Sequence, residues 1–428
     1  MNTLIKNAWV LLFEGDKTTV RKSDIAIENE NIIKIEEEIK DFVPHKVIDA
    51  EDMIAMPGLI NAHTHLSMNL LRNYADDMPL WDWLTKKIWP IEEKLTKQAI
   101  YHGSILGIAE LIKSGVTSFL DMYFFADQTI EAALETGVRA YIARGLTDEE
   151  EGKEVNLQET RELYKKYNQK DGRIGIFVGP HAPYTCSPRY LEKVIALSQE
   201  LGTNVHIHLS ETRKEVEESI EKWGVTPIEH VYNLGLFKRP TIAAHCVHIN
   251  DEDIDILAEN KVSAVNNPTS NMKLASGFAP VGKMLKAGVN VALGTDGASS
   301  NNNLNMFEEI HLASILNKCV DNDATSVPAA TAIRMATING AKALGMKDKL
   351  GSIEVGKKAD IILIDLKKPH LCPLNNPISA ISYSAQGSDV HTVIVNGKIL
   401  MENYELKTID VEQAMYEADK ASRELING

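Results

Sequence analysis

From residue 57 onward the chain alternates short apolar runs with helical stretches, and it does so eight times. The apolar runs are Leu59–Thr64, Val116–Asp121, Val138–Arg144, Ile174–Gly179, Asn204–Leu209, Thr241–His245, Val262–Asn266 and Asn290–Thr295. Strands that read as near-continuous apolar runs belong to parallel sheets covered on both faces. The stretches between them carry helix signals. Gln98–Lys113 has apolar residues at helical spacing and stops before Gly115. Ser187-Pro188 is a cap followed by proline at the first helical position, with Gly202 closing that helix after Leu201. Asp251–Asn260 and Pro280–Ala287 follow the same logic. Eight such units over roughly 250 residues is the size of a closed (β/α)8 TIM-type barrel. A doubly wound open sheet is the competing arrangement. No GxGxxG follows the first strand, which counts against it.

Residues 1–56 and 349–428 read differently. Strand patterns such as Ala8–Leu12, Asp24–Ile27 and Ile32–Ile35 precede the alternation, and Ile361–Ile364 and Val393–Lys398 follow it. Neither end buries a core alone. They are expected to pair into one composite β-sandwich side domain, with a C-terminal helix near Val411–Leu425 attached, around a barrel domain of residues 57–348.

A net charge of −15 repels polyphosphate, so nucleic acid is not an expected partner. No apolar run is long enough to span a bilayer, and Met1–Val10 resembles neither a signal peptide nor a membrane anchor. Cys186, Cys246, Cys319 and Cys372 form no CxxC pair; buried free thiols in a reducing cytoplasm are expected. Assembly into a homo-oligomer is left open by the sequence.

Active sites in such barrels sit at the C-terminal ends of the strands. His63-Thr64-His65 ends the first strand, and residues i and i+2 of a strand point one way, so both imidazoles aim at one point. The fifth strand carries His206-Ile207-His208 and then Glu211, the sixth ends in His245, and the eighth ends in Thr295-Asp296-Gly297. A buried His or Asp needs a partner to offset desolvation, and one shared cation satisfies them together. His206 and His208 share a face; His208 lies nearer the mouth, and His206, one pleat deeper, suits a structural imidazole. Glu211 lies just beyond, where a general acid/base is needed. Gly297 is expected to let the backbone turn sharply after Asp296.

Several motifs together resemble the amidohydrolase superfamily. They are Pro57-Gly58-Leu59-Ile60-Asn61-Ala62-His63-Thr64-His65, His208-x-x-Glu211, His245-Cys246, Asn267-Pro268-x-Ser270-Asn271, Gly294-Thr295-Asp296-Gly297 and Gly356-Lys357-Lys358-Ala359-Asp360. Within it, Trp89-Pro90-Ile91-Glu92, Ala143-Arg144-Gly145-Leu146 and Gly179-Pro180-His181-Ala182-Pro183-Tyr184 resemble the 5′-methylthioadenosine/S-adenosylhomocysteine deaminases.

The resemblance implies that His63, His65, His208 and Asp296 bind one divalent metal per chain, usually zinc, with Fe2+ the other candidate. It implies Glu211 as proton shuttle, Asp296 as ligand and base, and His245 as hydrogen-bond partner of the nucleophilic water or the intermediate. No lysine follows the fourth strand, which implies a mononuclear site. Glu92 would bind ribose hydroxyls, His181 the purine, and Arg144 the 5′ end of a nucleoside substrate. Some relatives place a second arginine shortly after the Arg-Gly pair. Here that loop reads Thr147-Asp148-Glu149-Glu150-Glu151-Gly152-Lys153, with Lys153 the remaining cation. Acids from Asp148 to Glu151 would oppose the carboxylate of S-adenosylhomocysteine if the loop lies near it. The expected reaction is hydrolytic deamination of the adenine ring of methylthioadenosine, S-adenosylhomocysteine or adenosine. Deamination of guanine or cytosine, or hydrolysis of a chloro-triazine, is the alternative within the superfamily. A non-catalytic scaffold is the alternative outside it, and the filled ligand positions argue against that.

Overall fold

In the computed structural model, which describes residues 2–150 and 152–428, eight parallel strands form one sheet in sequential order. They are Leu59–Thr64, Val116–Tyr123, Arg139–Leu146, Ile174–Pro180, Val205–Leu209, Thr241–His245, Ser263–Asn266 and Asn290–Leu293. Every residue of these strands is buried except Arg144 and Gly145. The ring is completed where the last strand meets the first. Asn61 Nδ2 donates to Thr295 Oγ1 at 2.7 Å, Thr295 N donates to Asn61 Oδ1 at 3.1 Å, and Asp296 N donates to His63 O at 3.0 Å. This is a TIM-type (β/α)8 barrel. Its helices start and stop on local signals. Thr96 and Ser187 cap Lys97–Lys113 and Pro188–Leu201, and Gly202 ends the latter at φ 66°.

A second sheet of nine strands draws on both chain ends. The ends meet where Met53–Pro57 pairs antiparallel with Ile361–Asp365. All nine strands are hydrogen-bonded into one sheet. Its first strand runs unbroken over Asn2–Glu14, with a bulge between Ile5 and Ala8. The C-terminal helix, Val411–Asn427, departs from expectation: it packs on the barrel. Ala418, Ala421 and Leu425 join the apolar cluster of Leu70 and Leu71, and Ser422 Oγ donates to Leu70 O at 2.6 Å. Its apolar stripe finds a complementary surface on Lys97–Lys113 and the 3-10 turn Leu66–Leu71. Two cysteines also differ from expectation: all four are free, but Cys319 and Cys372 are exposed. No helix among the described residues is long and apolar enough to cross a membrane.

The barrel and the second sheet are joined by a buried ion pair. Arg139, in the third barrel strand, donates from Nε to Asp360 Oδ2 at 2.9 Å and from Nη2 to Asp360 Oδ1 at 3.1 Å. Its Nη1 reaches Gly172 O, and Asn396 N donates to Asp360 Oδ1. Removing one partner of a buried pair strands the other charge, at a cost of ~3–5 kcal/mol. Asp360→Ala should therefore lower the midpoint of urea unfolding sharply, while Lys367→Ala, an exposed cation paired with Asp52, should barely move it.

Candidate active site

Four imidazoles converge at the C-terminal mouth of the barrel, and hydrogen bonds on their far sides fix which nitrogen faces inward. A carbonyl oxygen only accepts, so His65 Nδ1 donates to Met122 O at 2.5 Å and His208 Nδ1 donates to His181 O at 2.7 Å. His206 Nδ1 faces Ile242 O at 3.3 Å, so its Nε2 accepts, and His63 Nδ1 donates to it at 2.8 Å. His245 Nδ1 donates to Asn271 Oδ1 at 2.8 Å. Each inward Nε2 of His63, His65 and His208 is thus left with a lone pair. His208 Nε2 stands 3.2 Å from His65 Nε2, and His63 Nε2 is buried without a hydrogen-bond partner. Asp296 Oδ1 lies 3.3 Å from Nε2 of both His63 and His65.

Three lone pairs and a carboxylate oxygen facing one point repel one another unless a cation sits between them. His63, His65 and His208 form one set of mutually close ligand atoms, and His63, His245 and Asp296 form another. The donor set, imidazole nitrogens with one carboxylate, fits a divalent cation of the zinc type. The outer hydrogen bonds are those that orient metal-binding imidazoles. The Asp296 carboxylate draws positive charge to this point: burial opposes charge on His65, yet Asp296 lifts it to about 9, while burial holds His63 down at about 4. Burial likewise opposes charge on Asp296, but the two imidazoles hold its carboxyl well below the usual range.

The backbone is bent to bring these groups together. Ser210, His245, Cys246 and Asp296 all lie in the left-handed region, at φ 52°, 75°, 47° and 60°. Such positions cost ~1–3 kcal/mol each and cluster at functional sites. Asp296, and not Gly297, makes the turn after the eighth strand. Gly297 has φ −80°, and its value is space: a Cβ there would lie 2.9 Å from Met68 Sδ. Asp296 Oδ2 accepts from Ser270 Oγ at 2.7 Å and Ser300 Oγ at 3.2 Å, leaving Oδ1 to face the imidazoles.

Glu211 overhangs this cluster. Its Oε2 lies 3.8 Å from His245 Nε2, and Ser276 Oγ donates to its Oε1 at 3.2 Å. Burial pushes its carboxyl upward, and Asp296 adds to this against the opposing His245 ring. Glu215, raised to about 7 by burial, accepts from the backbone N of Ser210 and Glu211 at 2.9 and 2.8 Å, which fixes the bend.

A cavity of about 620 Å³ opens above, with His65, His208, Glu211, His245 and Asp296 at its base and His63 beneath. Glu92, Arg144 and His181 line the same cavity. Tyr123 Oη donates to Glu92 Oε1 at 2.8 Å, and burial raises the Glu92 carboxyl. His181 Nδ1 lies 2.8 Å from Thr185 Oγ1, and burial pushes its ring down to about 3, so it is neutral. A helical lid over Leu80–Glu92 includes a π turn at Leu84–Ile88, a form common at functional sites.

Of the described residues in the loop after the third strand, only Thr147 lines the cavity. Asp148 accepts from Ser187 N and Oγ, Glu149 accepts from Asn156 N and Tyr190 Oη, and Lys153 pairs with Glu150 in the open. Glu151 lies outside the described residues. Sequence reasoning missed Tyr123, Glu159, Glu215 and Ser276. Ser270 and Asn271 were within reach, since the Asn267–Asn271 motif contains both.

Residues 54–400 match the amidohydrolase family. The chain is 57% identical over 431 residues, covering 100% of it and 99% of its relative, to a protein from Caldanaerobacter subterraneus subsp. tengcongensis. That relative is named 5-methylthioadenosine/S-adenosylhomocysteine deaminase. Among solved structures, a zinc-bound adenosine deaminase from Xanthomonas campestris superposes with a TM-score of 0.96 at 36% identity, covering 100% of this chain and 99% of the other. A zinc complex of atrazine chlorohydrolase from Arthrobacter aurescens gives 0.92 at 25% identity, covering 98% and 100%. On this match the chain belongs to the amidohydrolase family.

Proposed function

We propose that this chain is a zinc-dependent hydrolase that deaminates the adenine ring of 5′-methylthioadenosine, and of S-adenosylhomocysteine less readily, to the inosine analogue and ammonia. The observation that supports it most is that one cavity joins a cation-ready imidazole–carboxylate cluster to Glu92, a carboxylate suited to ribose hydroxyls. Full-length likeness to a relative named for this reaction adds to it.

His63, His65, His208 and Asp296 would hold one cation. When bound, it supplies Lewis-acid activation of water at neutral pH. The chain's own groups move the protons. Glu211, whose carboxyl is raised by burial, gives its proton to N1 as water adds to C6, so the ring accepts the electron pair, and takes one proton of the adding water in its place. Asp296 takes the proton from the new hydroxyl and delivers it to the amino group. The C6–N6 bond then breaks, ammonia leaves, and the 6-oxo ring remains. His245 hydrogen-bonds the adding oxygen. His181, its Nδ1 against Thr185 Oγ1, faces the purine from the same cavity. Glu92 accepts from the ribose, held by Tyr123.

Ammonia release tests the reading. Methylthioadenosine should be the better substrate in a panel with S-adenosylhomocysteine, adenosine, guanine, cytosine and a chloro-triazine. Faster turnover of guanine or the triazine would replace this reading with its rival.

A further inference from the structure

Arg144 is the only lysine or arginine among the residues lining the main cavity, and it is already engaged. Its Nε donates to Glu159 Oε2 at 2.9 Å, its Nη2 to Asn156 Oδ1 at 2.6 Å, and its Nη1 to Gly145 O. Phe124 lies under the guanidinium at 5.7 Å. Asn156 and Glu159 sit three apart on the helix Val155–Tyr167, so both face Arg144 from one side. Glu149 accepts from Asn156 N at 3.0 Å and from Tyr190 Oη at 2.9 Å, which pins the start of that helix. The pair is partly shielded: the Arg144 side chain is 13% exposed and that of Glu159 34%. Glu159 also lines the cavity, with Glu92 and Glu93. Apart from Glu211 and the Asp296 cluster, the cavity lining therefore presents one cation and three carboxylates.

We infer that Glu159 is a specificity-determining residue: it neutralises Arg144 and turns the 5′ end of the pocket against anionic substituents. This rests on the reading that the chain deaminates 5′-substituted adenosines with the 5′ end toward Arg144. A methylthio group meets a neutral ion pair over an aromatic ring. A 5′ substituent bearing a carboxylate must compete with Glu159 for the same fork of donors and face its charge.

The test is the ratio of kcat/KM for S-adenosylhomocysteine to that for methylthioadenosine, in wild type, Glu159→Gln and the double variant Glu159→Gln/Arg144→Ala. Glu159→Gln should raise the ratio roughly tenfold or more, since it frees a charge-assisted contact. The double variant should lose that gain, because Glu159 acts through Arg144. A ratio within about twofold of wild type, or a gain that persists without Arg144, overturns the inference. So does an equal loss on both substrates, which would mark Glu159 as a structural clamp alone. Absence of ammonia from both substrates in the wild type overturns the functional reading and this inference with it. Wild-type turnover with an unmoved ratio overturns this inference alone.

Discussion

Glu211→Gln should keep its full complement of metal and lose ~10²–10⁴-fold in kcat with methylthioadenosine, the usual range for removing a positioned proton shuttle. Gln fills the same space and can still accept from Ser276 Oγ, so the bend at Ser210 and the Glu215 contacts to the backbone are untouched. What it lacks is a proton to give. Burial raises the Glu211 carboxyl, so near neutral pH it holds a larger share of protonated acid than an exposed glutamate does. It lies close to the reacting point without sharing the convergence of His63, His65, His208 and Asp296. The prediction separates chemistry from binding: elemental analysis should match wild type and kcat should not. A variant with near-wild-type kcat would assign N1 protonation to another group, and His245, 3.8 Å from Glu211, would be first in line.

What could be read from the sequence had a period or a strand end to mark it. His63 and His65 declared themselves by the two-residue period of a strand, and His208 and His245 by their places at strand ends. The deeper placement of His206 was legible for the same reason, and its hydrogen bond to His63 gives that place a purpose. Pairings between distant elements were not legible. Tyr123 reaches Glu92 across 31 positions, and Glu159 reaches Arg144 from a helix whose composition looks like any solvated surface. The place of the acidic loop was not legible for the same reason: charge content says nothing about where Asp148 and Glu149 point, and backbone and hydroxyl donors engage them. The C-terminal helix was assigned by sequence proximity to the strands before it. Its docking follows from an apolar stripe that only the assembled barrel can cover.

His208→Ala should leave a folded chain that no longer retains metal, with activity lost along with it. His208 is the one inward imidazole supplied by the fifth strand, and no neighbouring group can replace its Nε2. His206 is already committed at both nitrogens, to His63 and to Ile242 O, and His181 Nδ1 lies against Thr185. Loss of an outer hydrogen-bond partner alone costs 10–100-fold in metal affinity, so loss of a ligand should cost more than ~10²-fold. The fold should survive because the barrel is closed elsewhere, by Asn61 with Thr295 and by the Asp296 N to His63 O bond. The metal's effect on stability gives an independent readout. A ligand that binds only the native state stabilises it by mass action, so a chelator should lower the wild-type Tm and leave that of His208→Ala unchanged. Removing the imidazole also ends the 3.2 Å approach of His208 Nε2 to His65 Nε2, so the metal-free variant should unfold no earlier than metal-free wild type by more than the cost of a small cavity. Full metal occupancy in His208→Ala, read by elemental analysis after dialysis, would remove His208 from the ligand set.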